Sequence, residues 1–200
     1  MANVIKLRKG LNIHLKGTAA QTKRVVGACT EYVVRPDTFE GVVPKLVVHE
    51  GDRVEVGDVL FVDKNFPEVR FASPVSGTVK AVERGERRKI LGIRLQDDEV
   101  QKYHDFGRRD VSTLSADEVK SALLEAGLFG YIYQLPYAVS TNPQAMPKAI
   151  FVSALRDMPL ANNFEYELQG NERDFQTGLT ALSKMATTYL GIGKNQKADA

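Results

Sequence analysis

The sequence predicts a multidomain chain of the α+β kind. A β-rich unit is expected over residues 1–98 and the start of an α/β Rossmann-like unit over residues 115–200, with a linker at 99–114. Three observations predict this. Residues 44–82 break into strand-sized apolar runs, each closed by Gly-Asp, Ser-Pro or Ser-Gly turn residues. Residues 115–127 read as a helix with both ends marked. Residues 148–192 read strand, loop, helix, strand, the order of a βαβ unit. The 200 residues are 43% hydrophobic, enough for a real core in one or two domains.

The elements follow in order. Residues 4–17 alternate, with Leu11, Ile13 and Leu15 on one side and Asn12, His14 and Lys16 on the other. His14 is therefore a solvent-facing strand residue. A turn follows at 17–21, and Glu31-Tyr32-Val33-Val34 reads as a strand. Arg35-Pro36-Asp37 ends it, because the residue before a proline leans away from the helical region. Val47 and Val48 then lead into Glu50-Gly51-Asp52, and Val54 and Val56 into Gly57-Asp58. Residues 59–62 are continuously apolar, Val69 and Phe71 flank Arg70, and Val79 and Val82 close the series. Gly57 and Gly77 are read as turn positions needing positive φ, which glycine adopts at no steric cost. Arg84, Arg87, Arg88 and Lys89, diluted by Glu83 and Glu86, read as a solvated hairpin tip, with a phosphate or lipid contact as the other reading. Residues 90–95 alternate again and end the β-rich half, and residues 96–110 are polar and charged.

Gly-Asp-x-Val, Val-Gly-Asp-Val-Leu and Ser-Pro-Val-Ser-Gly-Thr-Val, in this order, resemble the biotinyl/lipoyl hammerhead, a barrel-sandwich hybrid of two similar halves. Carrier members of that fold bear their cofactor on a lysine at a hairpin tip. The one lysine between the halves is Lys64. It follows Leu60 too soon to be the tip, and Phe66-Pro67 comes after it. A structural hammerhead with an exposed Lys64 is the favoured reading over a carrier.

In the second half, Ser115-Ala116-Asp117-Glu118 is a capping box. Val119, Ala122, Leu123 and Ala126 follow at helical spacing, and Gly127 is placed to stop the helix. The aromatic stretch with Phe129, Tyr131 and Tyr133 comes next, and a loop carries Pro143 and Pro147. Residues 148–155 form an apolar strand without alternation, as expected when both faces are covered. Residues 158–163 are its loop. Residues 171–185 form an amphipathic helix with Phe175, Leu179, Leu182 and Met185 on one face, and 187–192 a second strand. Two strands and one helix leave part of that sheet or its edge uncovered, so the expectation is that the chain stops inside a larger domain.

Composition excludes several functions. A net charge of +2 gives no general case for nucleic acid. Cys29 is the single cysteine, so no intrachain disulfide or iron–sulfur cluster can form. His14, His49 and His104 lack metal-ligand spacing. No run approaches the roughly 20 apolar residues of a membrane span, and no apolar segment follows Lys6, Arg8 and Lys9, so neither a span nor a signal peptide is expected. Asp52, Asp58 and Asp63 are assigned to turns rather than acid–base work. A phosphate-binding turn needs glycines directly after the first strand, whereas Arg156-Asp157-Met158-Pro159 has none. Gly191-Ile192-Gly193-Lys194 has suitable residue types but reads as an ordinary strand-end turn. No catalytic, cofactor-binding or metal-binding residues are assigned.

Ile5-Lys6-Leu7-Arg8-Lys9-Gly10-Leu11, the hammerhead words, Arg84-Gly85-Glu86-Arg87-Arg88, and Ala149-Ile150-Phe151-Val152-Ser153-Ala154 with Pro159-Leu160-Ala161 together resemble the A subunits of bacterial sodium-translocating NADH:quinone oxidoreductases. The resemblance implies a peripheral, non-catalytic subunit on the cytoplasmic side of the bacterial inner membrane. Its complex would oxidise NADH, reduce ubiquinone or menaquinone, and export sodium. Flavins and iron–sulfur centres would lie in the other subunits, with none in this chain. The A subunits resemble in turn the flavin-binding subunit of proton-pumping NADH dehydrogenases and the C subunit of the Rnf complex. Phe129, Tyr131 and Tyr133 are the candidate contacts for a quinone or for a partner, with interdomain packing as the plain reading. The alternative is a lipoyl- or biotin-type carrier, or its enzyme partner.

Overall fold

A computed structural model describes residues 15–27, 29–156, 158–193 and 196. The strand expected over residues 4–17, with His14, lies outside the described residues except for its last three, which hold no strand.

Among the described residues, seven strands build the first unit: β1 (Glu31–Val34), β2 (Pro44–Leu46), β3 (Arg53–Val54), β4 (Val59–Asp63), β5 (Arg70–Ala72), β6 (Gly77–Arg84) and β7 (Ile90–Asp97). They form two antiparallel sheets, ordered β1-β7-β6-β3 and β2-β4-β5. Leu60, Phe61, Val69, Phe71, Val79, Ile93 and Leu95 fill one core between them. Each such side chain, fully buried, contributes about 1.5–3 kcal/mol.

One turn is built twice. Asp52 N donates to His49 O at 3.2 Å, and the Asp52 carboxylate accepts from His49 N at 2.7 Å. Asp58 N donates to Glu55 O at 3.0 Å, and its carboxylate accepts from Glu55 N at 2.8 Å. Gly51 (φ 93) and Gly57 (φ 100) occupy the left-handed position in each. The first turn pairs with Val79 and the second with Ser73 through matching backbone hydrogen bonds. The two halves of the hammerhead are thus closed by the same local chemistry. Asp63 is buried and its carboxylate accepts from Val43 N and Asn65 N, so all three aspartates serve the backbone.

Gly77 has a different role from the one expected. Its φ is not positive. A Cβ there would lie 1.9 Å from Gln96 O, so glycine is needed because β7 crosses so close. At the β6–β7 tip, Arg87 (φ 53) and Arg88 (φ 62) are both left-handed, and Lys89 N donates to Glu86 O at 3.1 Å. This is the mirror-image turn that Asn-Gly favours, and each non-glycine residue there costs roughly 1–2 kcal/mol.

The stretch read as a linker is strapped to the barrel. Val56 N donates to Lys102 O, and His104 N donates to Val56 O, at 2.9 and 2.8 Å. Buried Ser76 donates its amide to Gln101 Oε1, and its hydroxyl accepts from Lys102 N. The Phe106 ring lies against Gly57, where a Cβ would meet it at 2.9 Å. These contacts are invisible to a reading of local sequence because the partners are far away in the chain.

The second unit opens with α1 (Ala116–Glu125). Its capping box is complete: Glu118 N donates to Ser115 Oγ, and Ser115 N to the Glu118 carboxylate. Its C-terminus is a Schellman motif, in which Leu128 N donates to Leu123 O and Gly127 N to Leu124 O, with Gly127 at φ 70. The short β8 (Tyr133–Gln134) and β9 (Val139–Ser140) pair antiparallel, and β10 (Ile150–Ser153) and β11 (Thr188–Gly191) pair parallel. Between the latter lie α2 (Phe164–Leu168) and α3 (Glu172–Met185). The one-turn α2, capped by Asn163, has no sequence signal because five residues carry too little periodicity. The apolar run implied cover on both faces, but two strands and one helix were expected to leave part of this sheet open, and β10 is indeed uncovered on one face. Phe151 is 70% exposed and stacks on Tyr189, 54% exposed, with centroids 5.4 Å apart.

Outside the barrel, Glu31 bridges Lys80 and Arg94, and Arg94 also pairs with Glu83. Hydrogen bonds from Lys80 and Arg94 hold the Glu31 carboxyl below the usual range, and Arg35 does the same for Asp37.

Substitution to alanine should destabilise by about 1 kcal/mol or more at Gly57, where the native angle excludes a Cβ, and by about 1–3 kcal/mol or more at Gly77, through overpacking. Lys64→Ala should stay within about 0.5 kcal/mol. Denaturant midpoints check this order. The carboxyls held low stabilise the fold above their unfolded values, and that stability is lost as pH falls through the carboxylate range, about pH 4. Midpoints measured on either side of pH 4 should therefore drop in acid, and by less in Glu31→Gln.

Candidate functional site

The aromatic stretch after α1 is placed by two glycines. A Cβ on Gly127 would sit 3.0 Å from Ala72 Cβ, and one on Gly130 would sit 2.4 Å from Phe71 Cε1. Only bare backbone approaches the barrel so closely. Phe129 is 3% exposed and belongs to the barrel core. Its burial there is what packing between the two units would give. Leu123, Leu124, Ile132 and Met185 pack against the same core, so the two units share one hydrophobic interior.

Tyr131 and Tyr133 stand outside, 60% and 46% exposed. A short helical turn over Phe129–Tyr131 aims Phe129 inward and Tyr131 outward. The Tyr131 ring meets Phe39 edge-on at 5.1 Å and 81°, and Phe39 tilts onto Phe71 at 4.4 Å. Phe71 stacks on Phe61 at 4.5 Å and 7°. Both tyrosines line an open groove of about 370 Å³ with Val33, Arg35, Phe39 and Pro74. The Arg35 guanidinium is engaged by Asp37 through two hydrogen bonds of 3.2 and 2.8 Å, which neutralise that rim. Neither tyrosine hydroxyl makes a hydrogen bond among the described residues, so both are free to donate.

A second crevice, about 880 Å³, opens beyond the carboxyl ends of β10 and β11, where open α/β sheets bind ligands. Its lining is mixed, with Gln21, Asn162, Asn163 and Gln196 beside Leu155 and Phe164. Gly193 N, the amide a phosphate would use, donates to Gln196 Oε1 at 3.0 Å, and Gln196 Nε2 donates to Ala154 O. Arg156 sits 5.4 Å over the Phe164 ring and 3.8 Å from Glu167. The Gly193 turn therefore keeps its amide for the chain's own side chain. Lys194 lies outside the described residues.

Lys64 is exposed just after β4, its backbone N donating to Val43 O at 2.7 Å. The hairpin tip is Phe66-Pro67-Glu68, closed by Val69 N donating to Phe66 O. Of the histidines, His49 is exposed beside Asp52, and His104 Nδ1 lies 3.0 Å from Asp58 Oδ1. Among the described residues no group of three or more His, Cys, Asp or Glu side chains is arranged to hold a metal ion, and no helix is long and apolar enough to cross a membrane.

Fold and surfaces define a class: a hammerhead module, with Phe-Pro-Glu rather than lysine at its tip, sharing one core with an α/β unit beside an aromatic groove. Residues 5–98 match the NqrA N-terminal barrel-sandwich hybrid domain, and residues 114–200 match the NqrA second alpha/beta domain. The chain belongs to the NqrA family and carries these two domains in order. Similar proteins include the A subunits of Na(+)-translocating NADH-quinone reductases. That of Actinobacillus pleuropneumoniae serotype 5b is 35% identical over 184 residues, 91% of this chain and 41% of the relative. Its counterpart in Pseudomonas aeruginosa PAO1 is 32% identical over 189 residues, 94% and 42% respectively. That of Haemophilus influenzae Rd is 33% identical over 184 residues, 91% and 41%. The chain thus spans about two-fifths of the length of these relatives.

Truncating buried Phe129 to alanine should cost about 3–5 kcal/mol, whereas Tyr131→Ala should cost about 1 kcal/mol, the worth of one aromatic contact. Urea unfolding of both variants checks the assignment of core against groove.

Proposed function

We propose that this chain serves as a peripheral, non-catalytic part of a sodium-translocating NADH:quinone oxidoreductase, held at the cytoplasmic side of the bacterial inner membrane through its partners. In this reading NADH oxidation, the flavins and the iron–sulfur centres belong to the partners, and the chain contributes docking surface and a quinone contact. Membership of the NqrA family supports the assembly.

The observation that carries the quinone contact is the groove beneath Tyr131 and Tyr133. Its apolar wall suits a flat ring, and two unengaged tyrosine hydroxyls can donate to the ring's carbonyl oxygens. Phe129 roots both tyrosines in the shared core, so the donors sit on a rigid support. The carrier alternative is disfavoured by the place of Lys64, and an unmodified intact mass from the native host would exclude it.

The test uses the native membrane complex. Affinity capture of this chain should bring down the other subunits in constant ratio, and failure to do so overturns the assembly. Tyr131→Ala with Tyr133→Ala should leave the captured subunits unchanged and raise the KM for quinone by about tenfold, the loss of one to two modest hydrogen bonds. An unchanged quinone KM removes the quinone contact while leaving the docking role.

A further inference from the structure

The β6–β7 tip is not explained by the groove or by the core. Residues 84–89 carry four cationic side chains, Arg84, Arg87, Arg88 and Lys89, against the single carboxylate of Glu86. None of the turn residues Glu86, Arg87 and Arg88 is buried. Among the described residues, the Arg87 and Arg88 side chains make no hydrogen bond or ion pair. Elsewhere on this unit Arg35 pairs with Asp37, Arg53 with Asp98, and Arg94 with Glu31 and Glu83, while Arg24 and Arg70 stand singly and far apart in the sequence. What sets Arg87 and Arg88 apart is that two unpaired guanidinium groups are adjacent on one turn.

The backbone sharpens the point. Both central residues are left-handed, at φ 53 and 62, a conformation for which Asn-Gly is the favoured pair. Arginine is accepted at both positions despite the steric cost. Arg84 braces the turn, its guanidinium donating to Arg88 O at 3.3 Å, and Gly85 N closes it onto Lys89 O at 2.8 Å. The result is a fixed support that projects two guanidinium forks from the end of the longest strands of the barrel. Left-handed non-glycine residues cluster at functional sites, and here two adjacent ones carry unpaired charges.

We propose that the Arg87-Arg88 turn docks an acidic protein segment of a neighbouring subunit, each guanidinium taking a carboxylate through two parallel hydrogen bonds. A guanidinium fork matches a carboxylate in this way, and a lysine ammonium does not. The rigid, strained turn favours this partner over a lipid headgroup layer. Diffuse surface charge attracts a basic segment whatever its geometry, so strain at two arginines would bring a lipid contact no advantage. This docking role rests on the assembly proposed above and names one of its contacts.

The turn chemistry supplies the experiment. R87N/R88G installs the pair this turn prefers and removes both charges, so the variant should fold with a thermal midpoint equal to or above that of the parent. In native membranes, the complex is captured through one of its other subunits, then washed at low and at high potassium chloride. The parent chain should be retained, and R87N/R88G should be lost about tenfold more readily at high salt, as two charge-assisted contacts imply. R87K/R88K should fall between them. Full retention of R87N/R88G, or R87K/R88K indistinguishable from the parent, overturns the proposal. Flotation with phosphatidylcholine vesicles containing phosphatidylglycerol provides the other arm. Binding by the free parent chain that R87N/R88G abolishes, with retention by the partners unchanged, assigns the turn to lipid and also overturns it. If the parent chain itself brings down no other subunits, the assembly reading fails first, and the two failures are distinguished.

Discussion

The contact of Gly130 with the Phe71 ring is the constraint on which the rest of the structure depends. A side chain at residue 130 would collide with that ring, so only glycine lets the segment after α1 lie on the barrel. Once it lies there, Phe129 enters the core, and Phe39, Phe61 and Phe71 complete an aromatic stack beneath Tyr131. Leu123, Leu124 and Met185 follow onto the same surface and bring α1 and α3 with them. The two units are joined through their interiors rather than by a tether. The groove exists because of this joint: one wall comes from β1 and the residues after it, the other from the second unit.

Much of this was legible locally. The Gly-Asp turns, the Ser115 capping box and the Gly127 stop each involve residues within a few positions of one another, and each formed as the sequence implied. The parallel pairing of β10 with β11 was legible from the apolar runs and the helix between them. Gly77, Gly130 and the strap across Val56 were not, because their reasons lie in partners 19 or more residues away in the sequence, such as Gln96 for Gly77. The tip turn was hidden for another cause. Arg-Arg carries none of the Asn-Gly signature that announces left-handed central residues.

For the groove, the sequence identified the aromatic stretch but not which ring faces outward. Phe129, Tyr131 and Tyr133 alternate as in a strand, which would put all three on one face. The short helical turn over Phe129–Tyr131 breaks that alternation and separates the buried ring from the two exposed ones. For β10 the apolar run signalled a strand, and the count of two strands and one helix signalled that part of the sheet stays open, because burial of Phe151 depends on what packs outside the pair rather than on its neighbours in the chain.

The strap has a consequence for the chain's mechanical continuity. Residues 102–104 are bonded to Val56, and Phe129 is locked into the barrel core, so the chain between them is a loop fastened at both ends. Cleavage of that loop by a protease, for instance at the exposed Arg108-Arg109 pair, would break the covalent link while leaving both attachments in place. The nicked protein would run as two fragments under denaturing conditions yet migrate as a single particle in its native state. Domain boundaries mapped by limited proteolysis would then suggest two independent bodies where the packing makes one.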